Sequence, residues 1–253
     1  MEQNNFDVSA LLAPPQIMRA RRVLCIQPHP DDNEIGMGGT IAALAKGGCE
    51  VHYLTVTNGD LGDRDRTATR EQTAQKRRRE TEAAGRHLGA LEFHYLSHGD
   101  STLQNVKELS TEIAQVIRKV KPEVLFCPDP YLHYEGHYDH VVTGLAAADA
   151  FHLSGVRHFP VADGLVAWHT SAIGFYFTAK PNTVIDITAH FERKFEAIAL
   201  HDSQMDAQTL AMYRVYFQMK GTELAKDRGF QLGEGLKVLS PLHMHCFVDA
   251  EHL

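Results

Sequence analysis

The sequence predicts an α/β fold, a mainly parallel central sheet with helices on both faces. Three observations carry this. Apolar runs of strand length alternate with helix-length patterns through the first half of the chain, the helical patterns stop at glycine or proline, and histidine- and aspartate-rich segments follow two of the strands directly. A strand that returns parallel to its neighbour needs a crossover, usually a helix, and ligands bind such sheets at the carboxyl ends of the strands.

Residues 23–26 (VLCI) read as a buried strand that stops at a proline. A helical stretch through 41–45 ends at Gly47-Gly48, and residues 51–56 form the second strand. A long helix over 71–88 closes at Gly89, and residues 91–96 form the third strand. Residues 106–120 have a helical period that stops at Pro122, and 124–127 make the fourth strand. After about residue 150 the signals weaken. "SAIGFYFTA" and "NTVIDIT" read as strands, "AHFERKFEAIALH" as a helix, and "LKVLSPLHMHCFV" as a terminal strand broken at Pro241. With no internal repeat and no linker, a single domain over 1–253 is expected.

Composition narrows the function classes. Of 253 residues, 43% are hydrophobic and 23% charged, and the net charge is -7. That balance predicts a globular protein with neither a nucleic-acid nor a membrane partner. The basic run Lys76-Arg77-Arg78-Arg79 is interleaved with Glu71, Glu80 and Glu82 and reads mostly as a solvated helix face. Cys25, Cys49, Cys127 and Cys246 form no C-x-x-C pair, and three of them lie in strand-like runs, which fits buried, reduced thiols. The first residues lack a basic start followed by an apolar core, so a cytoplasmic location is expected. The sixteen histidines are the compositional clue.

Two segments concentrate the chemistry. "PHPDDNE" follows the first strand and "PDPYLHYEGHYDH" the fourth, while the Gly/Asp-rich "TNGDLGDRDRTATR" after the second could cover the same sheet edge. His29 and Asp32 are three apart, as are His137 and His140, with His140 near a helix start. Two imidazoles and one carboxylate from His29, Asp32 and His140 suit Zn2+ with a position left open for water, although Fe2+ or another divalent ion would also be accepted. Asp31, beside the ligand Asp32, is placed to accept a proton from that water. Two adjacent carboxylates repel, and a dication between them removes that cost. The alternative is a polar turn whose aspartates cap the next helix. Gly36, Gly38 and Gly39 give G-x-G-G-T, a weak dinucleotide-binding pattern, and are better read as close packing behind the turn.

At these residues the chain resembles the PIG-L/LmbE-like zinc-dependent N-acetylglucosamine deacetylases, in particular their diacetylchitobiose deacetylase branch. "PHPDDNEIGMGGT" and "HYDH" carry the resemblance, with Pro28 and Tyr138 in place of the usual alanine and proline. "RRRETEAAGRHLGA", "SHGDSTL", "KFEAIALHDSQ" and "LGEGLKVLSPLHMHCF" follow in the family's order. The resemblance implies a Rossmann-like three-layer sandwich, with His29, Asp32 and His140 as zinc ligands and Asp31 as general base. It further implies that His137 stabilises the oxyanion and helps protonate the leaving amine, that Asp100 holds His137 charged, and that Arg77 contacts substrate. A C-terminal histidine, His243 or His245, would complete the pocket of a neighbouring subunit, and these two share a face if their segment is a strand. Tyr138 alters the turn before His140, and its ring is expected to reach substrate. The implied reaction releases acetate from an N-acetylated amino sugar such as N-acetylglucosamine or a chito-oligosaccharide, in a homo-oligomer (trimer or hexamer). The alternatives are an amidase for another N-acyl substrate such as a thiol-sugar conjugate, a non-haem Fe(II) oxygenase using the same ligand triad, and a non-catalytic module.

Overall fold

The structure, a computed structural model, describes residues 13–162 and 164–253. Most of the N-terminal stretch read for a leader lies outside the described residues. In chain order the elements are β1 (Arg22–Gln27), α1 (Asp32–Lys46), β2 (Glu50–Thr57), α2 (Arg70–Leu88), β3 (Glu92–His98), α3 (Val106–Val120), β4 (Val124–Pro128) and α4 (Tyr138–Leu153). They continue with β5 (Ala172–Tyr176), β6 (Thr183–Asp186), α5 (Phe191–Ile198), α6 (Ala207–Ala225) and β7 (Gly233–Leu239).

The strands form one seven-stranded sheet in the order β3-β2-β1-β4-β5-β7-β6. The first five are mutually parallel where they pair, and β7 runs antiparallel to both β5 and β6. Alternation along the strands sorts side chains into two cores. Val23, Cys25, Val51, Tyr53 and Phe126 face one way, against α1, α2 and α5. Leu24, Ile26, Leu54, Leu125 and Ile173 face the other way, against α3 and α4. Both faces are covered, which is why these strands read as unbroken apolar runs. The α/β three-layer expectation therefore holds, with an antiparallel edge.

Local sequence explains most boundaries. Thr69 and Gln72 form a reciprocal capping box that starts α2, and Gly89 ends it at φ 103, a left-handed conformation that costs glycine least. Asn105 caps α3. Within α1 the backbone leaves helical geometry at Met37. The amides this frees on Gly39 and Thr40 donate to the Glu234 carboxylate at 3.1 and 2.7 Å. A Cβ on Gly39 would stand 2.7 Å from Ile187, and one on Gly36 2.4 Å from Tyr176. The glycine cluster is thus a close-packing device, as its sequence suggested.

Three expectations need correction. The terminal strand ends at Leu239, and residues beyond Ser240 form turns and a short 3-10 helix (Val248–Glu251). His243 and His245 therefore share no strand face, since His243 is buried and His245 exposed. Cys246, in the same segment, is exposed as well, whereas Cys25, Cys49 and Cys127 are buried free thiols. Burial pushes the thiols of Cys25 and Cys127 well up, and that of Cys49 to about 11. Helix α6 was not expected from sequence: its apolar residues lie all round it rather than in one stripe. Among the described residues no helix is long and apolar enough to cross a membrane.

Candidate active site

The strand order reverses between β1 and β4, so the loops that leave their carboxyl ends diverge and open a crevice. "PHPDDNE" leaves β1 and "HYDH" starts α4 after β4, so both motifs meet at that point. The first turn is held rigidly. The amide and hydroxyl of Thr57 donate to Pro28 O at 2.9 and 2.8 Å. Asn33 N donates to Gln27 Oε1 at 3.0 Å and Asn33 Nδ2 to Cys25 O at 3.3 Å. Asp31 adopts φ 144, a conformation an L-residue holds only under constraint, and such strain gathers at functional sites.

One ligand atom each from His29, Asp32 and His140 can be chosen so that all lie within 4.8 Å of one another. His29 Nδ1 is 3.3 Å from Asp32 Oδ2, and His140 Nε2 is 3.4 Å from Asp32 Oδ1. Ligand atoms around a four-coordinate ion with bonds of about 2.0–2.1 Å stand about 3.4 Å apart, so the spacing fits a small divalent cation. His29 Nε2 lies 3.3 Å from Asp139 Oδ2 and 3.5 Å from Asp100 Oδ1. With its proton on Nε2, His29 donates to these carboxylates and keeps the Nδ1 lone pair for a cation.

The site is strongly anionic. Burial alone would lower His29, but Asp100, Asp139 and Asp32 outweigh it and hold the imidazole at about 11. Such a cluster binds a proton when nothing better is present. Burial would raise Asp32, yet His140 and His29 hold it far below the usual carboxylate range. Asp31 goes the other way: burial and its neighbour Asp32 lift it to about 6 against the pull of Arg77. Two adjacent carboxylates are thereby driven apart in acidity, one held anionic and the other lifted toward neutrality.

Arg77 is the exception in its basic run, since it is buried while Arg78 and Arg79 are exposed. It donates to Gly59 O at 3.1 Å and Pro30 O at 3.0 Å, and stands 3.4 Å from Asp31 Oδ1. The loop after β2 thus does lie against the site. Asp100 takes its contacts from His29, Ser101 and Arg77, and acts on His137 only through space. His137 packs edge-on to His29 at 4.3 Å. Burial and the neighbouring charges of His29 and His140 hold it below its ordinary value, against the opposite pull of Asp139 and Asp100. Tyr138 opens α4 and is 62% exposed. Neither His243 nor His245 lines the cleft around Asp32 and His140.

Sequence reasoning passed over Asp139. It is buried in the first turn of α4 and accepts from Ser101 N at 2.8 Å and Leu103 N at 3.3 Å while holding His29. Its position inside "HYDH" was the available signal, masked by the ordinary preference for acidic residues at helix starts.

Comparison with known families agrees with this geometry. The model of the PIG-L family, described as GlcNAc-PI de-N-acetylase, matches residues 24–151, which span both motifs. The chain belongs to the PIG-L family. Over 96% of its length it is 35% identical to the diacetylchitobiose deacetylase of Thermococcus kodakarensis, covering 96% of that protein. It is 28% identical over 78% of its length to a probable N-acetyl-alpha-D-glucosaminyl L-malate deacetylase of Bacillus anthracis, covering 87% of it. The structure of N,N'-diacetylchitobiose deacetylase from Pyrococcus horikoshii, complexed with the inhibitor MPG, superposes with a TM-score of 0.88 at 34% identity over 93% of this chain and 90% of that one. Other motifs of this PIG-L chain form buried polar pairs: Lys194 with Glu234 at 2.6 Å, His201 with Glu34 at 3.2 Å, and Ser203 Oγ, which donates to Glu80 at 2.5 Å.

Proposed function

We propose that this chain is a divalent-metal hydrolase that removes acetyl from the nitrogen of an N-acetylated amino sugar, of the N-acetylglucosamine class, and releases acetate. The observation that carries this reading is the convergence of His29, Asp32 and His140 beside Asp31, a carboxylate outside that donor set and lifted to about 6. The donor set of two imidazoles and a carboxylate suits zinc or Fe2+, which when bound polarises the amide carbonyl and makes water acidic.

The chain's own groups supply the rest. Asp31 accepts a proton from water on its carboxylate as the water oxygen attacks the acetyl carbon. His137, at the crevice mouth, donates a ring N–H toward the oxygen that becomes negative. The C–N bond then breaks, and the proton taken by Asp31 reaches the departing nitrogen, which leaves as the amine. Arg77 holds the Pro30 carbonyl and the loop at Gly59, fixing the turn that presents Asp31. Asp139 and Asp100 orient His29.

The test is acetate release from N-acetylglucosamine, its disaccharide and thiol-sugar conjugates, with and without a chelator. Release from the amino sugars that chelation abolishes and Zn2+ restores is expected. Turnover of only the thiol conjugates, or turnover indifferent to chelation, overturns the reading.

A further inference from the structure

The two imidazoles proposed as ligands are supported unequally. His29 has both ring nitrogens accounted for: Nδ1 faces Asp32 Oδ2 at 3.3 Å, and Nε2 faces Asp139 and Asp100. His140 presents Nε2 to Asp32 Oδ1 at 3.4 Å. If Nε2 is to offer a lone pair to a cation, the ring proton must sit on Nδ1. That Nδ1 is buried and has no hydrogen-bond partner among the described residues. A buried N–H without an acceptor gives up its hydration for nothing, so native structures seldom leave one in that state.

One carboxylate stands within reach. Glu135 lies in the loop between β4 and α4, and its Oε2 is 3.6 Å from His140 Nδ1, just beyond hydrogen-bond length. Its other oxygen, Oε1, accepts from His137 N at 2.8 Å. His137 opens α4, and its own side chain makes no capping hydrogen bond. Tethered at one oxygen, the carboxylate needs only a small turn about its last torsion, which is a soft one, to bring the other onto Nδ1.

Phe177 flanks the face of the same ring. It lies at 20° to His140 with 6.1 Å between centroids, and its φ of 56 is a left-handed backbone that an aromatic residue holds only where its surroundings impose it. Phe177 thus limits tipping of the His140 ring and leaves the direction within its plane to Glu135. Both residues line the cleft that opens from Asp32 and His140 and that α6 helps to wall.

We propose that Glu135 is the positioning residue of His140: its carboxylate takes the Nδ1–H, fixes the tautomer and, through its other oxygen, ties that imidazole to the backbone of His137. The inference rests on the metal-hydrolase reading and adds to it a residue that gives no atom to the ion. Glu135 does for His140 what Asp139 does for His29. A carboxylate behind a ligating imidazole aims the ring and raises its basicity.

The experiment measures Zn2+ affinity by competition with a chelator of known strength, for the wild type, Glu135→Ala and Glu135→Gln. Glu135 sits in a loop and belongs to neither core, so its replacement leaves the packed sheet intact. Glu135→Ala should bind Zn2+ about 10- to 100-fold more weakly than the wild type. Glu135→Gln, whose amide oxygen still accepts, should fall between the two. In nitrogen-labelled protein loaded with Zn2+, the Nδ1–H of His140 should exchange slowly with solvent in the wild type and fast in Glu135→Ala. A group that only capped α4 would shift Tm and move neither readout. Equal affinity in the wild type and Glu135→Ala, or slow exchange retained in that variant, overturns the role of Glu135 and leaves the metal site standing. Absence of Zn2+ binding by the wild type overturns the metal reading and this inference with it.

Discussion

At the scale of single residues, Asp31 and Asp32 show how one turn gives two neighbouring carboxylates opposite acidities. Asp32 is surrounded by imidazoles and stays ionised, whereas Asp31 is buried beside a like charge and rises to about 6. If Asp31 is the base, Asp31→Asn should lower kcat by roughly 100- to 10,000-fold with the metal still bound, read by acetate release and metal content. The wild-type kcat/KM should show an acid limb with its midpoint at or below about 6, because only ionised Asp31 accepts a proton and a bound cation can only lower it. Stability moves in the opposite sense. Asp31 ionises near 3.8 in the unfolded chain but near 6 in the folded one, so the folded state loses stability as pH rises through that interval. In chelator at pH 7, Asp31→Asn should therefore melt above the wild type, with the gain shrinking as pH falls toward about 4. The residue types alone pointed to the proposed base, Asp31, and to the proposed ligands, His29, Asp32 and His140. They did not reveal that Arg77 is buried against Pro30 or that Asp139 holds His29, because each depends on the direction a side chain takes from its helix.

At the scale of elements, α1 pays for its departure from helical geometry at Met37 through Glu234, which receives the freed amides of Gly39 and Thr40, the Thr40 hydroxyl and the buried ammonium of Lys194. Glu234→Ala would leave Lys194 charged, buried and unpaired. It should destabilise the fold by about 3–5 kcal/mol, measured by denaturant unfolding. A loss below 1 kcal/mol would show that Lys194 escapes to solvent instead. The "LGEG" and "KFEAIALHDSQ" motifs are thereby explained as fixtures of the helix that carries Asp32. Element signals were strong where burial was one-sided or complete, as in β1, β2 and α2. They failed for α6, which mixes Leu210, Tyr213 and Phe217 packed on the core with exposed Met212, Val215 and Met219. They failed again after Ser240, where an apolar run coils into turns rather than extending.

At the scale of the whole molecule, the sheet reversal between β1 and β4 brings His29 and His140 together across 110 intervening residues, with ring centroids 5.3 Å apart. A site assembled from distant loops exists only in the folded chain, so its cation should stabilise the fold by mass action. Adding Zn2+ to chelator-treated protein should raise Tm by the equivalent of about 2.7 kcal/mol at a hundredfold excess over Kd. His140→Ala should abolish that shift, and an undiminished shift would place the ion elsewhere.

The sequence by itself determined the alternation of strands and helices, the two histidine-aspartate motifs and the family they resemble, since periodicity and short-range spacing are local properties of the chain. Only the tertiary structure decided which carboxylates surround His29, why Asp31 and Asp32 part in acidity, and how α6 walls the cleft. Those depend on burial and on charges brought close by the fold, and neither quantity exists until the chain has closed on itself.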